Sequence, residues 1–267
     1  MSDLTMDLSI LFLSVIQGIS EVLPISSSVN LHFFSALFNI HEFSFALKIA
    51  LHVGSLAALL IYFHSDVIDI FRGLFTRRKI SDTCLLQLVC GTIPVVILGF
   101  LARDFVKEFH SQKIMGVTCI CFGILLVMFD KLSCMQPRLS RANIAGISLS
   151  KSFVIGVFQS IAIFPGVSRL GICITAARML SLDRKHAIRF SLLLAIPSIL
   201  GSLVLELYES YKISDFQCFQ GAALSGMIAT ALISIIAIHP CVRYTEKRGF
   251  SLIAIYRILV GIAIWWL

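Results

Sequence analysis

Charged residues are scarce in this chain: only 14% of its 267 residues are Asp, Glu, Lys or Arg, whereas 58% are hydrophobic. Soluble domains typically carry about a quarter charged residues, so this composition excludes an ordinary soluble enzyme. Apolar segments follow one another with short gaps, which leaves no room for a sizeable extramembrane domain. The sequence therefore predicts an all-α, polytopic membrane protein in which residues 1–267 form a single integral-membrane domain.

Cysteine motifs and a basic leader are also missing. The 8 Cys and 7 His residues are dispersed, with no CxxC pair and no Cys/His ligand spacing. We therefore expect neither a disulfide framework nor a zinc site, and the cysteines within apolar segments act as small hydrophobes. Residues 1–7 contain two aspartates and no Lys or Arg, unlike the basic start of a signal peptide, so we expect the first segment to be retained.

The formal net charge is nevertheless +7. In a membrane protein this surplus suits cytoplasmic loops facing anionic lipid, and we expect no nucleic-acid partner. If the N-terminus lies outside, basic residues concentrate on one side, which predicts that both termini are outside. The basic side would hold Arg72, Arg77, Arg78, Lys79, Lys131, Arg138, Arg141, Lys151, Arg178, Arg184, Lys185, Arg189, Arg243, Lys247 and Arg248. The other side would hold Lys48, Arg103, Lys107, Lys113 and Lys212.

One polar stretch interrupts the first apolar run. Gln17 and Glu21 are one helical turn apart, so their side chains share a helix face. Pro24 ends that helix, and one of the serines at 26–28 can cap the next helix. A helix N-terminus lined with hydroxyls favours anions. The alternative is a kinked membrane helix with internally bonded serines, but a carboxylate at membrane depth is costly without a use.

A second polar stretch, Pro-Gly-Val-Ser-Arg at 165–169, interrupts a later apolar run. Arg169 carries a planar, permanent charge that matches phosphate with two parallel hydrogen bonds. Alternatively, Arg169 neutralises the buried charge of Glu21. Either interpretation predicts that the two stretches, called here tip one (residues 24–30) and tip two (residues 165–169), meet near the middle of the membrane.

Each tip lies between two short apolar arms, which predicts a re-entrant helical hairpin, and three full spans follow each hairpin. Because each half has an odd number of crossings, the halves, approximately 1–140 and 141–267, would be inverted repeats. Placing Pro24 over Pro165 sets Ser27 over Ser168; the alternative is a coincidence of short apolar runs. The predicted arms are 8–23, 28–38, 152–164 and 170–182. The predicted spans are 43–63, 85–101, 114–129, 187–208, 219–238 and 250–267.

Serines beside a carboxylate and an arginine fit phosphoryl transfer. A serine would attack phosphorus, a carboxylate would take the proton or hold a divalent cation, and the arginine would stabilise the oxygens of the phosphoryl group. Other polar residues in apolar segments have structural explanations: we expect His52 to bond within the bundle, Arg257 to pair or reach the interface, and Glu206 to lie at the surface. The candidates are Gln17, Glu21, Ser26, Ser27, Ser28 and Asn30 in and before tip one, and Ser168 and Arg169 in tip two.

The motif Gln-Gly-Ile-Ser-Glu-Val-Leu-Pro-Ile-Ser-Ser-Ser at 17–28, together with tip two, resembles the undecaprenyl-diphosphate phosphatases of bacterial inner membranes, the bacitracin-resistance type. Residues 91–99 and 190–197 are also similar to that family. The resemblance implies removal of the terminal phosphate from undecaprenyl diphosphate, the recycled lipid carrier of cell-wall synthesis. It also implies a divalent cation (Mg or Ca), a multi-pass inner-membrane protein with an outward-facing site, inverted re-entrant repeats and a homodimer.

Carried onto this chain, the resemblance implies Ser27 as nucleophile and Glu21, helped by Gln17, as base or metal ligand. Arg169, Ser168, Gly166, Ser26 and Ser28 would bind phosphate.

The chain departs from the family pattern at two places, one in tip one and one directly after tip two. Where the family has Gly-His after its serines, this chain has Val29-Asn30, and asparagine carries no proton at neutral pH. Where the family usually has Ser-Gly-x-Thr after tip two, the chain has Leu-Gly-Ile-Cys at 170–173. Two hypotheses follow: a phosphatase with slow but real hydrolysis that Asn30→His would speed up, or an impaired homologue that transports or binds polyprenyl phosphates.

Overall fold

The computed structural model describes residues 2–40, 45–75, 84–102, 105–106, 108–109, 111–134, 146–213 and 221–267. These ranges contain eleven α-helices and no strand, which confirms the predicted all-α class. The helices are α1 Ser2–Val22, α2 Ser27–Leu37, α3 Phe45–Tyr62, α4 His64–Phe75, α5 Leu85–Leu101, α6 Gln112–Cys134, α7 Leu149–Ser160, α8 Arg169–Met179, α9 Arg184–Ile213, α10 Gly221–Arg248 and α11 Ser251–Trp266.

Four helices are long and apolar enough to cross a membrane: α3, α6, residues Arg184–Tyr208 of α9, and Ala223–Arg248 of α10. They correspond to four of the six predicted spans. The other two predicted spans, α5 and α11, are apolar but shorter, at 17 and 16 residues. The protein is therefore a polytopic membrane protein.

Helix α4 replaces the start of a predicted loop over residues 64–83. It is short and amphipathic, with Ile68 and Phe71 exposed, and Arg72 lies in its last turn. A guanidinium nitrogen of Arg189 lies 2.7 Å from the Asp66 carboxylate and ties α4 to α9. The pattern of long apolar runs does not reveal this helix, because it is too short and too polar to span a membrane. Several basic residues used for the topology lie outside the described residues: Arg77, Arg78, Lys79, Arg103, Lys107, Arg138 and Arg141.

The two predicted hairpins are present as helix pairs, α1 with α2 and α7 with α8. Helix α1 ends at Val22, two residues before Pro24, and begins at Ser2 rather than at residue 8. Helices α2 and α8 each contain 11 residues, and their N-caps, Ser26 and Ser168, have nearly equal positive φ angles of 70° and 67°. Helix α1 packs on α10, and α7 packs on α5. An internal repeat would produce these correspondences; the inverted relation of the halves stays a prediction.

The register between the tips differs by one residue from the predicted alignment. The caps pair Ser26 with Ser168, so Ser27 corresponds to Arg169 and not to Ser168. Tip two has one more residue than tip one between proline and cap, and Gly166 takes it up at φ 91°. Only glycine adopts such a conformation without strain, and Thr118 and Met115 lie where a Cβ at this position would be.

Helix α8 lies at the centre of the bundle, with every residue from Leu170 to Arg178 buried. Asp130 of α6 accepts hydrogen bonds from Arg178 of α8 at 2.9 Å and from Arg184 of α9 at 2.7 Å. Breaking such a buried pair typically costs about 3–5 kcal/mol. This network joins three helices and fixes the helix that begins with Arg169.

Candidate active site

A cavity of about 930 Å³ lies between the two tips. Tip one contributes the serines at 26–28, and Glu21 approaches from the end of α1. Tip two contributes Gly166, Ser168 and Arg169. The fold thus brings together predicted candidates that are about 140 residues apart in the chain.

Tip one presents its hydroxyls without using them as helix caps. The Ser26 side chain makes no capping hydrogen bond, and its Oγ lies 3.2 Å from Ser28 Oγ. The expectation that one of these serines caps α2 is therefore wrong, since the Ser26 hydroxyl lies against Ser28 and not against a helix amide. Ser27 lines the cavity, and no hydrogen bond to another described residue engages its hydroxyl. The structure thus leaves Ser27 as the serine of tip one that is available to a ligand.

Gln17 orients Glu21. Its Nε2 donates to Glu21 Oε2 at 3.1 Å, and its side chain is completely buried. The predicted sharing of one helix face is thus observed. Gln17 does not line the cavity, and its Oε1 is buried without a hydrogen-bond partner. Glu21 is therefore the member of the pair that faces the cavity.

Tip two divides its roles between two residues. Ser168 Oγ accepts from the Gly171 amide at 3.1 Å and caps α8. Arg169 Nη2 donates to Ser202 Oγ at 3.3 Å, whereas its Nη1 is buried and has no hydrogen-bond partner. Although Arg169 and Glu21 are both described and both line the cavity, no ion pair joins them. Arg169 is therefore held at one nitrogen and free at the other, which suits an incoming anion.

Asn30 is buried and does not line the cavity. Its Nδ2 donates to the carbonyls of Ile25 at 3.0 Å and Ser26 at 2.8 Å. Its Oδ1 accepts from the Tyr256 hydroxyl. Asn30 thus stabilises the backbone of tip one, and its predicted contribution to the reaction stays a prediction.

Arg257 is a residue whose role the sequence did not reveal. It is fully buried in α11 and donates to main-chain carbonyls of both tips: Pro24 at 3.0 Å, Gly166 at 3.0 Å and Val167 at 3.0 Å. A fourth bond reaches the Cys119 carbonyl at 3.2 Å. One guanidinium therefore joins tip one, tip two and α6. A lone arginine in an apolar helix was the only signal in the sequence.

A second group whose arrangement the sequence did not reveal also lines the cavity. Lys48 Nζ lies 3.6 Å from Glu206 Oε1, and His52 Nδ1 lies 4.0 Å from Glu206 Oε2. Glu206 was expected at the surface, but its side chain is only 18% exposed and faces the cavity. The expectation failed because α9 continues to Ile213, so Glu206 is not at a helix end.

The cavity also has an apolar side that opens between α5 and α9. Val96, Phe100, Leu200 and Val204 line it, and each is more than half exposed. A Cβ added at Gly99 or Gly201, which line the same side, would meet nothing within 4 Å. In a membrane-spanning bundle, such a surface faces lipid. The cavity therefore combines polar groups at its tips with an apolar opening.

Fold and cavity together define a helical membrane protein whose cavity combines serine, glutamate and arginine side chains with an apolar opening. The chain matches the family described as bacitracin resistance protein BacA over residues 10–263, and it belongs to that family. A relative from Alcanivorax borkumensis named undecaprenyl-diphosphatase is 35% identical over 267 residues, covering 96% of this chain and 97% of that protein. Another of that name, from Thermodesulfovibrio yellowstonii, is 37% identical over 262 residues, covering 95% and 94%. One from Caldicellulosiruptor bescii is 33% identical over 257 residues, with the same coverage.

Proposed function

We propose that this protein is an integral-membrane phosphatase that hydrolyses undecaprenyl diphosphate to undecaprenyl phosphate and inorganic phosphate. The observation that carries the proposal is the free, buried Nη1 of Arg169 in one cavity with Ser27 and Glu21. Relatives named undecaprenyl-diphosphatase match nearly the whole chain. They do not support the alternative of an impaired transporter. The product is the form in which the lipid carrier re-enters cell-wall synthesis.

Both tips contribute groups to the reaction. Arg169 and the amide groups at the start of α2 bind the terminal phosphate, whose charge favours a helix N-terminus. Ser27 Oγ attacks the terminal phosphorus; the new Oγ–P bond forms as the bond to the bridging oxygen breaks, and the electron pair leaves with undecaprenyl phosphate. The Ser27 proton passes to the Glu21 carboxylate. Water then hydrolyses the phosphoserine, releasing inorganic phosphate and restoring the hydroxyl.

The polyprenyl chain fits the apolar opening. A diphosphate bound between the tips would extend its tail past Gly99 and Gly201 toward lipid. The substrate thus keeps its tail in the membrane while its headgroup reaches the polar end of the cavity. This arrangement explains why a phosphatase site lies inside a membrane bundle.

The site offers some of the oxygen ligands that a divalent cation, Mg or Ca, requires. No group of three His, Cys, Asp or Glu side chains among the described residues could hold a metal alone. Magnesium in phosphoryl-transfer sites commonly binds one or two carboxylates together with the substrate phosphates, and Glu21 with a bound diphosphate meets that need. Gln17 Oε1 is a buried oxygen without a hydrogen-bond partner beside that carboxylate. A bound cation would supply charge neutralisation at the phosphate oxygens.

We further propose a bacterial inner-membrane location with the site facing the outer side, as the distribution of basic loop residues favours. We also propose a homodimer, from the family resemblance, and no role for nucleic acid.

The test measures phosphate release from undecaprenyl diphosphate by purified protein in detergent with Mg²⁺ or Ca²⁺. We expect release by the wild type, strong loss after removal of the cation with EDTA, and recovery when the cation is restored. Ser27→Ala should be inactive, and its folding is checked by thermal melting. A folded wild type that binds the lipid diphosphate but releases no phosphate with either cation would overturn the proposal.

A further inference from the structure

The proposed reaction needs a group that accepts a proton from the hydrolytic water, and position 30 holds asparagine. Of the described residues that line the cavity, His52 is the only histidine, and a neutral imidazole nitrogen can accept a proton. The fold places His52 of α3 in the same cavity as Ser27 and Arg169. The chain thus keeps a histidine in the site, on a different helix.

The hydrogen bonds of His52 decide which ring nitrogen is the base. Its Nδ1 lies 3.0 Å from the carbonyl oxygen of Lys48, and a carbonyl only accepts, so Nδ1 carries the proton. In neutral imidazole the other nitrogen, Nε2, is then the proton acceptor. No hydrogen bond to a described residue engages Nε2, and the side chain is 15% exposed, toward the cavity.

Glu206 completes the arrangement. Its Oε2 is buried, has no hydrogen-bond partner and lies 4.0 Å from His52 Nδ1, while Lys48 holds the other oxygen at 3.6 Å. A carboxylate on the protonated side of an imidazole stabilises the imidazolium that forms when Nε2 takes a proton. Glu21 of α1 and Arg169 of α8 are the other charged groups of the cavity; α10, which also packs on α3, contributes none to its lining.

We propose that His52, supported by Glu206, is the base for the second step of hydrolysis. This inference rests on the proposed phosphatase function. As water attacks the phosphoserine, one water proton passes to His52 Nε2, an oxygen–phosphorus bond forms, and the Oγ–P bond breaks. The Ser27 oxygen regains a proton from Glu21, and His52 returns its own proton to solvent or to the departing phosphate. No oxidant, reductant or further reactant is required.

The experiment compares wild type, His52→Gln and His239→Gln. His239 is exposed and lies outside the cavity, so it is the matched histidine control. We expect His52→Gln to lower steady-state phosphate release about 10²–10⁴-fold, with KM little changed and His239→Gln unaffected. With substrate labelled in its terminal phosphate, label should accumulate covalently on His52→Gln and be absent from His52→Gln/Ser27→Ala.

A pH–rate profile supplies a second readout. Wild-type turnover should fall at acidic pH, because a protonated base cannot take a proton from water, and the fall should be smaller in His52→Gln. Glu206→Gln, which keeps the imidazole, should also lower turnover, because it removes the charge that stabilises the imidazolium. If His52→Gln fails to fold, Glu206→Gln still tests the proposal, because it leaves His52 in place.

Near wild-type turnover and an unchanged pH profile in folded His52→Gln would overturn this inference and leave the phosphatase function standing. Slow turnover without covalent label would also overturn it, because the slow step would not be phosphoserine hydrolysis. If the wild type itself releases no phosphate, the proposed function fails, and this inference fails with it.

Discussion

Tip one and tip two share a backbone and differ in chemistry. Both place a serine with φ near 70° at the N-cap of an 11-residue helix. In tip two, Ser168 satisfies the helix amide of Gly171. In tip one, Ser26 does not cap, and Ser27 makes no hydrogen bond to another described residue. The same geometry therefore stabilises the fold at one tip and leaves groups available for a ligand at the other.

The glutamines on the helices that lead into the two tips, Gln17 on α1 and Gln159 on α7, show the same contrast. Both polar atoms of the Gln159 side chain have partners: Nε2 donates to the Gly91 carbonyl at 3.3 Å, and Oε1 accepts from Ser198 Oγ at 2.9 Å. Gln17 is equally buried, yet its Oε1 has no hydrogen-bond partner. An unsatisfied buried oxygen typically costs about 1–3 kcal/mol. Tip one therefore gives up stability that tip two retains, as functional sites often do.

The largest expected effect follows from the guanidinium nitrogen of Arg169 that has no hydrogen-bond partner. Arg169→Ala should lower kcat/KM for undecaprenyl diphosphate about 10³-fold or more, because arginine contributes about 10³–10⁵ in phosphoryl transfer. Arg169→Lys should recover only part, since an ammonium keeps the charge but not the paired hydrogen bonds. The measurement is steady-state phosphate release. Equal activity of the lysine variant and the wild type would argue that charge alone matters.

A large loss of stability is expected when the tips are no longer held together. Arg257→Met removes charge-assisted bonds to carbonyls of both tips and α6, and we expect about 2–4 kcal/mol of destabilisation. Thermal melting in detergent measures it. Arg243→Met, at an exposed position of α10, is the control and should leave the melting temperature unchanged. A stable Arg257→Met variant would show that other packing positions the tips.

The capping difference predicts a smaller, asymmetric effect. Ser168→Ala should destabilise the protein by about 1 kcal/mol, the usual contribution of an N-cap. Ser26→Ala should destabilise it less, because Ser26 makes no capping bond. Paired melting curves of the two variants test this. Equal destabilisation would contradict the assignment of capping to tip two alone.

The smallest expected effect concerns Asn30→His. Histidine can donate to one carbonyl and accept from Tyr256, so tip one should keep its shape with one hydrogen bond fewer. Because Asn30 does not line the cavity, turnover should change less than about threefold, well below the usual contribution of a placed acid or base. A rise of tenfold or more at constant KM would instead restore the original expectation that position 30 limits proton transfer.

Both tips could be predicted from the residue types within the stretches themselves. Pro24, Glu21 and Arg169 stand out because proline and charge are costly within apolar runs, and the hairpins follow from their positions. The one-residue difference between the tips was not predictable, because it depends on the φ angle of Gly166. The roles of Arg257 and Glu206 were hidden for another reason: their partners lie far away in the chain and become neighbours only when the helices pack.

Arg257 also affects when the site can form during biosynthesis. It lies on α11, which follows both tips in the chain, and it holds main-chain carbonyls of both tips. A nascent chain that already contains both tips still lacks this contact until α11 has been synthesised and has entered the bilayer. Chains truncated before α11 therefore contain every residue proposed to touch phosphate, but they lack the arginine that holds the two tips together.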